Sequence, residues 1–594
     1  MNTLLTLIGN EMKKAFASCG YDEKFAQATV SNRPDLCQFQ CNGAMAAAKE
    51  YHKAPIMIAN DVVAKVDKAM FSKVEAVAPG FINMDLAPAF LTGYLEEMLL
   101  RGVYGYEKPE KQRVTVIDYG GANVAKPLHI GHLRPAVIGE SIKRIYKFAG
   151  DKVIGDVHLG DWGLQIGQII EELRDRKPEL CYFDESYKGE YPKEAPFDIS
   201  ELEDIYPTAS KKSKTDPEFA KRAHEATVKL QENYPPFRAI WQHIINVSVK
   251  DLKKNYDNLN VNFDLWLGES DAEPFIADMI DKMVKDGFAY ESQGALVVDI
   301  AEEGDSKEYP PCIVRKSDGA AIYQTTDLAT IIQRERDFKP DKYVYVADKR
   351  QDLHFLQVFR TAKKCGLVNE DKDLLFVGFG TVNGKDGKPF KTRDGGVMRL
   401  EYLITEINDE VYKKVMSGRE MSEENARKIA KTVGLAALKY ADLSNQAAKD
   451  YIFDIDRFTS FEGNTGPYIL YTMVRIKSIL AKYKENGGKD TKELKLKRED
   501  GSTREYKPSE ISLMLNAARF NETVEKAYQE TAPHKICQYI YDMSNAFNSF
   551  YHENRIMGEE DLVKQGEWIK LIETILHILE ECIDMLGFEA PEQM

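Results

Sequence analysis

The sequence predicts an α/β protein organised around a mostly parallel sheet, with an α+β module before it and an α-helical bundle after it. Three observations carry this reading. Between residues 109 and 381, short β-branched runs alternate with stretches of helical period, which is the pattern of strand–helix–strand units. Residues 1–108 mix helical period with one region that contains alternating apolar residues. From residue 427 to the end, helical period dominates. A chain of 594 residues is long enough for several such domains.

In residues 1–108, helical spacing covers 1–18 and again 46–52, and residues 74–86 alternate apolar and polar around an Ala-Pro-Gly-Phe turn. The next stretch, 114–134, organises the chain. Val-Thr-Val-Ile-Asp-Tyr suits a buried strand. Gly120, Gly121 and Pro127 mark a loop. Leu133, Val137, Ile138, Ile142, Ile145 and Phe148 then fall at helical spacing, with Pro135 allowed only in a first turn and Gly150 placed as a C-cap. A second strand follows at 152–157. The turn after the first strand therefore lies at a carboxyl end of the sheet, where α/β proteins bind ligands.

The residue types in that turn suit phosphate. A helix start offers free N–H groups and a positive dipole end. His129 and His132 are three apart there, so both rings face one way. Their N–H groups would stabilise charge developing on phosphorus. Gly131 lets a flat ligand approach the backbone, and Lys126 adds a positive charge. A metal-binding reading of the two histidines lacks a third ligand at suitable spacing.

Residues 181–258 read as an insertion between two halves of the sheet: an exposed loop over 184–216, then helix over 217–258. The sheet should resume with strands at 294–300 and 312–315. Ser317-Asp318-Gly319 then makes a hairpin turn, and Ala321-Ile322-Tyr323 is the return strand. A helix is expected from Thr326 to Arg336 with Asp327 in its first turn, then a strand at 342–347 and a helix at 351–365. Residues 382–426 form a connecting region that contains a glycine-rich basic segment, 384–396. In the helical part, 427–594, a break at 461–468 precedes a long helix at 469–484, and 485–508 is a charged surface excursion.

Composition narrows the class. Apolar residues make up 43% and charged residues 29%, as in ordinary globular proteins. No apolar run reaches membrane-spanning length, and residues 4–8 are too short for a secretory signal. Eight scattered cysteines read as reduced thiols of a cytoplasmic protein. A net charge of −15 argues against nucleic acid binding through bulk charge, although phosphate contacts need only a local basic surface.

The run Asn-Val-Ala-Lys-Pro-Leu-His-Ile-Gly-His-Leu-Arg, residues 123–134, resembles the ATP-binding box of class I aminoacyl-tRNA synthetases. Its leading Asn-Val-Ala-Lys-Pro resembles the arginyl-tRNA synthetase family in particular, as does His-Leu-Gly-Asp-Trp-Gly-Leu-Gln-Ile-Gly at 158–167. The resemblance implies a Rossmann-like catalytic domain at 109–381, an N-terminal domain that touches the tRNA elbow, and an anticodon-binding domain at 427–594. It also implies joining of arginine to tRNA(Arg) through an arginyl-adenylate. ATP with Mg2+ is then a substrate, no tightly bound metal is expected, no membrane is involved, and the chain is a monomer.

The site residues implied are His129, Gly131 and His132 for ATP, with Lys126, Lys391 and Arg393 for its phosphates. Phe390-Lys391-Thr392-Arg393 stands where the family loop has Met-Ser-Lys-Arg, so Lys126 is the substitute for the lysine missing at Thr392. Asp118 and Asn123 would hold the α-amino end of arginine, and Tyr323, Asp327, Gln351 and Glu269 its guanidinium. Tyr468, Tyr471, Tyr551 and Met594 would meet anticodon bases. Three other readings stay open: a tRNA-binding regulator without catalysis, a small-molecule adenylyltransferase, and a class I synthetase for another amino acid.

Overall fold

The structure is a computed structural model that describes every residue except 318–321, 389–397, 419–420 and 499–503. Two compact units emerge. One comprises Lys111–Thr459 with Leu586–Phe588; the other is built from Met1–Glu110, Ser460–Met585 and Glu589–Met594.

The first unit holds a four-stranded parallel sheet in the order Asp373–Phe379, Lys342–Asp348, Val114–Asp118, Lys152–Asp156. From the strand Val114–Asp118 the chain builds outward first to one side and later to the other. That reversal is a topological switch point, and it opens a crevice at the carboxyl ends of the two middle strands. Register fixes which side chains meet there. Asp118 pairs with Asp156 on one side and with Tyr345 on the other. The helix after the first strand runs Leu133–Ala149 behind a short 3-10 turn, Ile130–His132, and ends on Gly150 at φ 110°. Its start and its stop therefore lie where Pro135 and Gly150 require.

Three elements differ from the sequence reading. Residues Ala295–Val298 and Cys312–Arg315 do not join the parallel sheet. They form an antiparallel three-stranded sheet with Ala289–Ser292. Gln293 and Gly294, at φ 52° and 80°, make the two-residue turn that commits this segment to a hairpin. Tyr323, expected in a return strand, opens the helix Tyr323–Asp337. The Thr325 hydroxyl accepts from the Ile322 amide at 3.1 Å and so starts that helix early. The proposed turn at Ser317-Asp318-Gly319 falls mostly outside the described residues. The stretch 184–216 is not all loop, because Ile199–Thr215 is a helix. Asp198 caps it, and Leu202, Ile205 and Ala209 are buried, although Pro207 lies inside it. Beyond it, Pro217–Gln231 and Pro235–Asn258 are separate helices divided at Asn233, φ 62°.

The helix Glu423–Leu443, grouped by sequence with the helical tail, falls in the sheet-bearing unit. The other unit pairs an antiparallel sheet, ordered Ala28–Val30, Phe39–Cys41, Phe81–Leu86, Phe71–Val77, with helices from both ends of the chain. Helix Pro88–Leu100 packs on helix Pro508–Ala517. The Asn521 amide donates to Tyr94 Oη at 3.2 Å, and the Leu496 N–H donates to Glu96 Oε1 at 2.5 Å.

Candidate active site

The two histidines of the helix start are held by the backbone, and the way they are held fixes their chemistry. The Gly131 N–H donates to His129 Nδ1 at 3.0 Å, and the His129 N–H donates to His132 Nδ1 at 3.1 Å. An Nδ1 that accepts carries no proton, so each neutral ring keeps its proton on Nε2. Burial, then Lys126, lowers the His129 pKa; burial, then His129, pulls His132 down to about 3. Both rings are therefore neutral N–H donors at working pH, with centroids 4.1 Å apart. Gly131 is required by closeness: a Cβ there would stand 2.7 Å from the His129 ring.

Lys126 lies beside this pair, its Nζ 4.8 Å from the centre of the Tyr206 ring. The glycine-rich segment 384–396 leaves and re-enters the described structure close by. Before it, Arg134 Nη1 donates to the Gly380 carbonyl at 2.8 Å while Nε binds Asp442 Oδ2 at 3.1 Å. After it, the Ile130 N–H donates to the Met398 carbonyl and the Leu400 N–H to the Leu128 carbonyl. Both roots are thus tied to residues 128–134. Lys391 and Arg393, with Phe390 and Thr392, lie outside the described residues.

An acidic cleft occupies the carboxyl edge of the same sheet. Asp118 and Asp156 face each other across neighbouring strands. Arg334 Nη2 donates to both, at 2.6 and 2.8 Å, and stands between two charges that would otherwise repel. Asp118 thus gives one oxygen to Arg334, and burial raises its pKa. Ligand atoms of Asp118, Asp156 and His158 lie within 4.8 Å of one another, the metal-like grouping found among the described residues, and the Arg334 guanidinium already supplies a cation there. That grouping does not include His129 or His132. Asn123 packs over Gly160, where a Cβ would collide with its Oδ1, and the two bridge in parallel.

Glu269 opens the short helix Glu269–Ala272 and is anchored by its N–H to the Leu159 carbonyl at 3.0 Å. Burial lifts its carboxyl to about 7; His158 opposes the shift, while Asp161 and Asp327 add to it. Asp161 is itself pinned by Ser270, whose hydroxyl donates at 2.6 Å. Asp327 lies one turn into the helix Tyr323–Asp337, with Oδ2 2.5 Å from His354 Nε2. Glu269 and Asp327 therefore share one electrostatic neighbourhood. Tyr323 and Gln351 are exposed, Tyr323 at 74%.

Asp156, Arg334 and His354 were not singled out from sequence. A helical signal did exist for Arg334. Asp327, Thr330 and Arg334 share one helix face, and Thr330 reaches His158 at 3.5 Å.

In the other unit, three expected tyrosines gather around an arginine. Arg475 stacks 4.7 Å from the Tyr471 ring and 5.3 Å from the Tyr551 ring, and donates to Asn548 Oδ1 at 2.5 Å. Asn548 in turn donates to Tyr468 Oη at 2.9 Å, and Tyr468 donates to Asn545 at 2.7 Å. Tyr471 and Tyr551 are each 37% exposed, whereas Met594 is buried at 8%. Arg475 and Asn548 are additions to the expected set. Arg475 follows Tyr468, Tyr471 and Thr472 on one helix face, which is the signal that could have found it.

Comparison with known proteins points to one family along nearly the whole chain. The family model described as class I (R) tRNA synthetases, catalytic domain, matches residues 94–455. The DALR anticodon binding domain matches 469–594, and the arginyl tRNA synthetase N terminal domain matches 2–86. The arginine–tRNA ligase of Agathobacter rectalis is 59% identical, and that of Alkaliphilus oremlandii 54%, each alignment covering 100% of both chains. The crystal structure of arginyl-tRNA synthetase from Plasmodium falciparum shares the fold at a TM-score of 0.82, with 24% identity over 100% of both chains. A catalytic-domain match over more than half of the chain, and relatives this similar from end to end, lead to one conclusion: the chain belongs to the arginyl-tRNA synthetases of class I.

Proposed function

We propose that the protein ligates L-arginine to tRNA(Arg) in two steps. In the first, the arginine carboxylate attacks the α-phosphorus of ATP, which is bound with Mg2+. The bond to the bridging oxygen breaks, and pyrophosphate leaves from arginyl-adenylate. In the second, the 2′-hydroxyl of the tRNA terminal ribose attacks the acyl carbon and AMP leaves. Neither step uses a covalent nucleophile of the protein, so catalysis is positioning and charge stabilisation.

The observation that carries this reading is the juxtaposition at one sheet edge. Two neutral imidazoles, whose Nε2–H groups have no partner among the described residues, and an ammonium share the sheet edge with a cleft of partly buried carboxylates. His129 and His132 donate to the phosphates, with Gly131 leaving room for the nucleoside. Lys126, Lys391 and Arg393 carry positive charge to the triphosphate. Asp327 and Glu269 receive the guanidinium fork, which asks for paired acceptors, and Tyr323 and Gln351 complete the rim. Asp118 and Asn123 take the α-amino end. The tyrosine–arginine cluster of the other unit offers stacking faces for unpaired bases, Met594 contributes a further base contact, and the N-terminal module meets the tRNA elbow. Eight free thiols suit work in the reducing cytoplasm, and we infer a monomer.

Aminoacylation of total tRNA with arginine, glutamine and cysteine in parallel tests the proposal. Arginine alone should be charged. Charging of another amino acid, or ATP binding without any charging, would overturn it.

A further inference from the structure

The insertion helix Ile199–Thr215 touches the phosphate site, and it does so with two side chains. Glu203 and Tyr206 are three apart and so share a helix face. Glu203 Oε2 binds Arg399 Nη2 at 2.7 Å, and Arg399 forms a backbone bridge with His129. The Tyr206 ring lies under the Lys126 ammonium at 4.8 Å. One turn of this helix therefore meets two cations that neighbour the His129–His132 pair.

The two contacts differ in kind. Arg399 is paired with a carboxylate, which neutralises it. Lys126 has no carboxylate partner among the described residues, so the aromatic face orders its ammonium and leaves its charge intact. A carboxylate in the place of Tyr206 would also order the lysine, but it would compete with every phosphate that approached. The rest of the ring is packed against the insertion core, beside Leu202 and Ile205, so its plane is fixed before any nucleotide arrives.

We propose that Tyr206 is a positioning residue for phosphate binding, holding Lys126 beside the paired histidines as an ordered but unneutralised cation. The proposal rests on the reading of Lys126 as a triphosphate ligand. It gives the insertion, on which no site residue was expected, a part in the first chemical step. Tyr206 itself touches no reacting atom.

The test uses the full chain in ATP–pyrophosphate exchange with tRNA present. Tyr206→Phe keeps the ring and should keep most of the rate. Replacing it in turn by mono-, di- and trifluorophenylalanine weakens the negative face without changing the shape. The rate should then fall stepwise, by about three- to thirtyfold over the series, while the KM for arginine stays constant. In a Lys126→Met background the same series should be flat. A series flat in the presence of Lys126, or equally steep in its absence, overturns the proposal. If Lys126→Met alone leaves exchange unchanged, the assignment of Lys126 falls first. If Lys126→Met is slow but the fluorine series is flat, only the role of Tyr206 falls.

Discussion

Arginine binding should strengthen as pH rises from 6 to 8, and Glu269 is the reason. Its carboxyl sits at about 7 because burial, Asp161 and Asp327 outweigh the opposing His158. Roughly one molecule in eleven then carries a charged Glu269 at pH 6, and roughly ten in eleven at pH 8. A guanidinium selects the charged form. Its dissociation constant should therefore fall about tenfold over this range, close to 1.4 kcal/mol. At pH 7, binding should release about half a proton, because the substrate drives the remaining Glu269 to ionise. Isothermal titration calorimetry in buffers of different ionisation enthalpy measures both quantities. The Glu269→Gln variant should bind weakly at every pH, with no slope from this group.

The same shift has a cost for the empty protein. Between pH 4.5 and 7 the folded state keeps a proton that the unfolded chain has released. Unliganded stability must then fall as pH rises through that window, by at most about 3 kcal/mol. Glu269→Gln should recover this at pH 8 in urea unfolding while losing arginine. A flat affinity profile in the parent protein, or an unchanged slope in the glutamine variant, would refute the reasoning.

Three further outcomes are expected. His132→Ala should fold normally by circular dichroism yet lose about 100- to 1000-fold in ATP–pyrophosphate exchange; near-normal exchange would reject its role. Arg334→Met removes the cation between buried Asp156 and partly buried Asp118, and should cost about 3–5 kcal/mol in urea unfolding; a loss under about 1 kcal/mol would show that Asp118 and Asp156 do not depend on it. Tyr551→Ala should raise the KM for tRNA by about five- to a hundredfold, the range of one stacked base, with the KM for ATP unchanged. Equal tRNA affinity would remove Tyr551 from the base-reading set.

The parts of this protein that were legible in its sequence are those fixed by local chemistry. Pro135 and Gly150 delimit a helix through their own backbone preferences, and two histidines flanking a glycine at its start announce their own geometry. What escaped depends on partners distant in sequence. Arg334 gains its meaning only when strand register brings Asp156 against Asp118, 38 residues apart in the numbering. His354 matters because it faces Asp327 from a different helix. Sequence places the strands at 294–300 and 312–315 in the main sheet because a short apolar run does not reveal which strand it will pair with. Pro207 and a lysine-rich end hid the helix Ile199–Thr215, whose burial comes from tertiary packing rather than propensity. The double origin of the second unit was equally invisible, since no local pattern records that residue 94 waits for residue 521.

That last feature bears on biogenesis. Tyr94 is synthesised 427 positions before Asn521, an interval of roughly 20–90 s at ordinary elongation speeds. Throughout it, the leading module presents helix Pro88–Leu100 without its mate, so the nascent polypeptide has a long period in which chaperones must shield it. Deleting either extremity should leave the other sticky rather than yield a tidy fragment. A permuted gene reading 460–594 and then 1–110 would abolish the wait by making the two halves neighbours in time.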